Sequence, residues 1–325
     1  MKQSIKYVLN GVFAVAAVAV FIYVYAFGAN PAGPINGTAV TARTQPASTP
    51  AAATDKTIRI GWTAWADAEF VTKLARRLLH NRLGYHVDLV MSDIGIQYQG
   101  VANGDLDVML MAWLPTTHRN YWKKVSDKVM DLGPLYLNAR LGWVVPDYVP
   151  AKTLDSLIDL KKTAVMKRLN SRIYGIDPGS GLMQASQKAI DGYGLTGYDL
   201  VASSGAGMTA ALKRAIRRHR WVVATAWSPH WIFQKWHLRY LKDPKHLLGG
   251  REQIHAVARR GFYNHFDPRV TGFLTRMYIP MPELEQAMLE ARDNGVERAV
   301  STYIKDHTGR VDYWLSGRLT EPPAS

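Results

Sequence analysis

The chain has 325 residues, 47% hydrophobic and 20% charged, which suits two compact units or one two-lobed domain and excludes overall disorder. It has no cysteine, which excludes disulfides, zinc–thiolate sites, a cysteine nucleophile and a lipid-modified N-terminal cysteine. Lys and Arg total 40 against 26 Asp and Glu, a net +14, which suits a solvated basic surface, an anionic membrane surface or nucleic acid.

Residues 1–28 read as a targeting segment. Lys2 and Lys6 precede an uncharged apolar run from Val12 to Phe27, long enough for a signal peptide or an uncleaved anchor. With lysines only on its N-terminal side, the segment keeps that end inside and sends the rest across. Residues 29–56, rich in Ala, Pro, Thr and Gly, predict a flexible tether. From Thr57 onward strands and helices alternate. Strands are expected at Ile58–Trp62, Val87–Met91, Val108–Trp113, Leu141–Val145, Arg172–Ile176 and Trp221–Trp227. Helices are expected at 68–82, 95–103, 117–126, 153–160, 182–191 and 207–219, then at Glu283–Asn294 and Val296–Asp306, with Gly295 between them. This alternation predicts an α/β fold with its functional groups at the C-terminal ends of strands.

One internal echo stands out. Val108 to Pro115 (Val-Met-Leu-Met-Ala-Trp-Leu-Pro) resembles Val222 to Pro229 (Val-Val-Ala-Thr-Ala-Trp-Ser-Pro). Both are apolar strands ending in Ala-Trp-x-Pro, and the proline stops the strand. The repetition predicts two similar lobes, with Trp113 and Trp227 at strand tips where a cleft between them opens.

Enzyme signatures are missing. There is no Gly-x-Ser-x-Gly elbow, no Walker loop, no His-Glu-x-x-His and no metal-ligand spacing among the ten histidines. The expectation is a binding protein without cofactor or metal. Core packing is expected of Trp122, Trp143, Trp221, Trp231, Trp236 and Trp314. Trp62 and Trp65 follow the first strand and, with Trp113 and Trp227, place aromatics at three strand tips. Converging indoles form a cage that suits a quaternary ammonium ion. Gly175-Ile176-Asp177-Pro178-Gly179-Ser180-Gly181-Leu182-Met183 leads from a strand into a helix whose N-terminal amides attract an anion. His118 follows Pro115 by about one helical turn. A neutral imidazole donates one hydrogen bond; a protonated one adds a charge. Lys213, Arg214, Arg217, Arg218, His219 and Arg220 form a basic run on an expected helix. Cage and anion pocket together describe a zwitterion with a methylated ammonium and a carboxylate.

Four motifs in order carry a resemblance: Gly61-Trp62-Thr63-Ala64-Trp65, Ala112-Trp113-Leu114-Pro115-Thr116-Thr117-His118, Gly175 to Met183, and Ala226-Trp227-Ser228-Pro229-His230-Trp231. Leu241 to Lys245 and Gln253 to His255 add to it. From about Lys56 to the C-terminus the chain resembles the substrate-binding proteins of glycine betaine-type ABC importers. That resemblance implies a two-lobed periplasmic-binding-protein fold of the type II kind, closing about a hinge. Lobe 1 would comprise 57–143 and 252–325, and lobe 2 residues 144–251. It implies a cage of Trp65, Trp113 and Trp227, with His118 and the amides of Gly181 and Leu182 on the carboxylate. Trp62, Asp67 and Ser180 are further candidates. The family often has an acidic residue directly after the first cage Trp. Here Ala66 intervenes before Asp67, so the ligand-facing ring is Trp65 or Trp62. Implied partners are a betaine and an ABC permease, with membrane attachment through residues 7–28. A monomer outside the cytoplasmic membrane and no nucleic acid are expected. Choline or carnitine is an alternative ligand. The rival classes are a membrane-anchored binder of nucleic acid or anionic lipid, and a hydrolase or lyase acting on a quaternary amine.

Overall fold

The computed structural model describes residues 56–319. The targeting segment 1–28, the tether through residue 55 and the last six residues lie outside the described residues.

Chain order is β1 (Thr57–Trp62), α1 (Ala66–Leu83), β2 (His86–Met91), α2 (Ile94–Asn103), β3 (Val108–Leu114), α3 (Arg119–Val125) and β4 (Val129–Pro146). Then come α4 (Thr163–Arg168), β5 (Arg172–Tyr174), α5 (Gly181–Tyr193), β6 (Asp199–Val201), α6 (Gly205–Arg217) and β7 (Val223–Ser228). Next are α7 (Ile232–Lys235), β8 (Leu238–Tyr240), β9 (Arg251–Arg259) and α8 (Phe262–His265). The chain ends in α9 (Pro268–Arg276), α10 (Met281–Asn294), α11 (Val296–Asp306) and α12 (Thr308–Ser316).

The strands form one sheet in the order β2-β1-β3-β9-β4-β7-β5-β6, with β8 on β4. It contains two parallel groups. In the first half β1 pairs with β2 and β3, and in the second half β5 pairs with β6 and β7. Every residue of β3, which lies parallel to β1 and antiparallel to β9, is buried, as expected of a central strand covered on both faces. Strand β4 joins the halves by changing partner along its length. It lies antiparallel to β9 from Val129 to Arg140 and antiparallel to β7 from Arg140 to Val144. The sequence boundaries at 143/144 and 251/252 therefore fall inside β4 and at the start of β9. The larger apolar core, with Phe70, Leu74, Tyr136 and Phe273, reaches from the first half to Trp227. A second core surrounds Trp143, Leu157, Ile173 and Tyr193.

Two expectations are corrected. Strand β4 begins twelve residues before Leu141, because Gly133 and Pro134 sit at register shifts in a continuous strand. No α-helix spans 153–160; a short 3₁₀ turn at Leu157–Lys161, capped by Ser156, stands there instead.

Candidate functional site

Each candidate ring is held at the end of a strand. Trp65 is the N-cap residue of α1, just beyond β1. Trp113 and Trp227 are the next-to-last residues of β3 and β7. After each, an x–Pro peptide bond is cis: Leu114–Pro115 and Ser228–Pro229. The three indoles are almost fully buried and line one pocket with His118, Ser180, Gly181 and Leu182. Thr117, Leu141 and Ile176 complete it, around about 270 Å³ of empty space. The pocket thus gathers six named candidates plus Ser180. Trp62 is not part of the lining; it packs partly buried against the core with the Lys73 ammonium 5.6 Å from its ring centre. Of the two alternatives at this position, Trp65 faces the pocket.

Asp67 does not line the pocket either. Its buried carboxylate accepts from Trp227 Nε1 at 2.9 Å and from the Tyr136 hydroxyl at 2.6 Å. Burial pushes this carboxyl up, and both donors pull against that shift. The first turn of α1, where Asp67 sits, favours a negative charge. Asp67 therefore orients Trp227 instead of contacting the pocket. A reciprocal bond fixes the first ring: Trp65 Nε1 donates to Asp177 Oδ1 at 2.8 Å. Each of these two indoles is aimed by a carboxylate from the opposite half.

The polar end is equally specific. The Trp113 amide donates to His118 Nδ1 at 3.1 Å, and the Tyr98 hydroxyl lies 3.4 Å from the same nitrogen. With its lone pair so engaged, Nδ1 accepts and Nε2 carries the proton. Burial lowers the His118 pKa to about 3, so the ring is neutral near pH 7. Of the two protonation states the sequence allows, the structure selects the neutral donor.

In α5 the N-cap Ser180 Oγ accepts from the Met183 amide at 3.2 Å, which ties this hydroxyl to the helix. The Ser180 amide donates to the Asp177 carbonyl. The amides of Gly181 and Leu182 find no acceptor among the described residues. They are the two donors of the first turn left over for an anion. Gly181 is required by proximity: a Cβ there would lie 2.8 Å from the Thr117 carbonyl oxygen and 3.1 Å from His118 Cδ2. The helix amides and the imidazole therefore meet at one end of the pocket. Tyr121 of α3 ties down the turn before α5, its hydroxyl donating to the Gly179 carbonyl at 2.6 Å. Glu252 of β9 supports the Thr116–Thr117 turn, accepting from both amides at 3.1 Å.

Sequence reasoning missed Thr117, Leu141, Ile176, Tyr121, Asp177 and Glu252. Thr117 and Asp177 stand inside quoted motifs; Glu252 and Leu141 reach the site only through sheet pairing. Among the described residues no group of three or more His, Asp or Glu is placed to hold a metal. No described helix is long and apolar enough to cross a membrane.

The sequence model of the family described as the substrate binding domain of ABC-type glycine betaine transport systems matches residues 56–306. This chain belongs to that family. Its members are binding components of importers and not enzymes, and they work outside the cytoplasm. The glycine betaine/carnitine transport binding protein GbuC of Listeria monocytogenes is 37% identical over 155 residues, 46% of this chain. The chain spans about half the length of that relative, 51%. Lactococcal OpuAC, solved closed and complexed with glycine betaine, is 35% identical with a TM-score of 0.74, covering 81% of this chain and 100% of that one. A choline-binding ABC-transporter protein solved with choline is 25% identical, with a TM-score of 0.74, covering 82% and 94%. The chain thus has the two-lobed α/β fold of these binding proteins.

Proposed function

We propose that this protein binds glycine betaine, or a closely related quaternary-ammonium zwitterion, and delivers it to an ABC permease. The single observation that carries this reading is the lining of the pocket. It holds three indoles and no carboxylate, while a neutral imidazole N–H and two free helix amides converge at one end. Indole faces attract a methylated ammonium. The amides and Nε2–H need an anion, which choline lacks. Glycine betaine has about eight heavy atoms, so a ceiling of roughly 1.5 kcal/mol per atom allows about 12 kcal/mol. Micromolar affinity takes about 8 kcal/mol. Three cation–π contacts of ~1–2 kcal/mol and the carboxylate bonds are enough to reach it.

The hinge in this reading is the pair β4 and β9, with lobe 1 at 57–143 and 252–325 and lobe 2 at 144–251. A ligand touching both lobes favours closure by its differential contacts, and the permease reads the closed form. Residues of both lobes line the pocket, so this reading needs no second subunit. The apolar run Val12–Phe27 supports attachment to the cytoplasmic membrane.

Isothermal titration with glycine betaine, proline betaine, carnitine and choline tests the ligand. Glycine betaine should bind at micromolar or tighter affinity, and choline at least about tenfold more weakly, for loss of charge-assisted bonds. Choline binding as tightly as glycine betaine would overturn the reading.

A further inference from the structure

At the end of lobe 2 remote from the cage, an open groove with about 1290 Å³ of empty space runs along the C-terminal part of α6. The loop before β5 and the residues leading into β7 form its other walls. Arg168, Arg214, Arg218, Arg220 and His219 line it, and no carboxylate does. Some surface arginines are paired, Arg76 and Arg77 with Glu297, Arg82 with Asp312 and Arg310 with Glu283. None of the four groove arginines has an ion-pair partner among the described residues. Four guanidiniums gathered in one groove with no carboxylate among its lining make a positive surface that attracts anions.

Two aromatic contacts order the walls. The Arg168 guanidinium lies 4.7 Å from the Trp221 ring centre. The His219 ring stacks on Tyr148 at 4.0 Å, and the Tyr148 hydroxyl donates to the Arg220 carbonyl at 2.7 Å. Arginine forks match phosphate oxygens in pairs, which lysine does not. Trp221, half-buried at the edge, has the amphipathic character that seats side chains at a membrane interface. Trp221 and Val222 precede β7 at the groove, whereas Trp227 lies near the far end of the same strand. At about 3.3 Å per residue the two sites stand roughly 20 Å apart, so one is filled without obstructing the other.

We propose that this groove docks lobe 2 on the phosphodiester headgroups of anionic phospholipids. The compartment selects lipid over nucleic acid: an importer's binding protein works beside a bilayer, where lipid phosphates are the dense anion within reach. The docked protein stays next to its membrane-embedded transporter with its cleft free.

The chain has no cysteine, so Ala210→Cys on α6, exposed one turn before Arg214, carries a single environment-sensitive fluorophore. Full-length labelled protein is mixed with phosphatidylglycerol vesicles, phosphatidylcholine vesicles or duplex DNA. The N-terminal apolar run contacts both vesicle types alike, while the label reports the groove. The fluorophore should respond to phosphatidylglycerol and not to phosphatidylcholine, and the response should weaken steeply between ~50 and ~200 mM salt. Arg214→Ala with Arg218→Ala should lower the apparent affinity about 30-fold. Glycine betaine titration of that double variant should match the parent, which shows that it is folded and separates this test from the ligand assignment. A response to phosphatidylcholine, an unchanged response in the double variant, or tighter binding to DNA than to phosphatidylglycerol would overturn the proposal.

Discussion

Strands β3 and β7 end alike and then diverge. Each closes with Ala-Trp, passes a cis x–Pro bond and reaches a buried histidine, His118 five residues after Trp113 and His230 three residues after Trp227. Both imidazoles accept a backbone amide at Nδ1, from Trp113 and from Ile232, and burial lowers both pKa values to about 3. Yet only His118 lines the pocket. His230 stands edge-on against the Trp227 ring at 4.5 Å and beside Trp231 at 5.2 Å. Two residues of spacing separate a ring that lines the pocket from one that buttresses an indole. The tryptophans diverge in the opposite sense. Trp227 donates its N–H to Asp67, whereas that of Trp113 has no acceptor among the described residues.

The largest effect should separate the two tryptophans. Trp227→Phe keeps a ring but leaves the buried Asp67 carboxylate one donor short. We expect it to lose about 3 kcal/mol of stability, combining the shrunken side chain with the unpaired acceptor. Trp113→Phe should lose only the packing part, about 1 kcal/mol. Urea unfolding of both variants is the measurement. Equal losses would mean that the Asp67 bond contributes nothing and that the strand ends are energetically equivalent.

The histidines sharpen the contrast on the ligand side. His118→Ala should weaken glycine betaine binding by about 1.5–3 kcal/mol, the range for a hydrogen bond to a charged group, and weaken choline binding much less. His230→Ala should leave the ratio of betaine to choline affinity unchanged, since it acts only through the Trp227 ring. Titration of both ligands into both variants decides it. A ratio that shifts with His230 would erase the distinction between reader and buttress.

Much of this arrangement is legible in the sequence because it is local. The strands β1, β2, β3 and β7, and the long helices α1, α10 and α11, follow from apolar spacing within each segment. The indoles and His118 share motifs with the strand ends that place them. What escapes is tertiary. Asp67 lies 160 residues from Trp227 and Asp177 lies 112 residues from Trp65, so no spacing links them. The first part of β4 is hidden by Gly133-Pro134, which the long strand absorbs at register shifts. In β9 the exposed Arg251, Gln253 and half-buried His255 alternate with buried Glu252 and Ile254, and the buried Glu252 disguises the strand. The protonation of His118 depends on burial, which a motif does not encode.

The smallest effect treats the two histidines as equals. Their folded-state pKa values, about 3, lie below the usual 6.5. Below pH ~6.5 the unfolded chain takes up protons that the folded chain refuses, so acidification favours unfolding. Their contribution to stability is complete above about 6.5 and is lost as pH falls toward 3. Each should account for about 1.4 kcal/mol per pH unit once the unfolded imidazole is protonated. Urea unfolding between about pH 6.0 and 5.0 avoids most carboxylate titration. There, His118→Gln and His230→Gln should each flatten the pH dependence by a similar amount, and the double variant by about twice as much. Across about pH 5.5 to 8.5 the wild-type affinity for glycine betaine should stay flat, because the neutral His118 ring has no proton to lose or gain in that window. An affinity that falls as pH rises through neutrality would mean that bound His118 carries a charge, and the two histidines would then differ in protonation as well as in position.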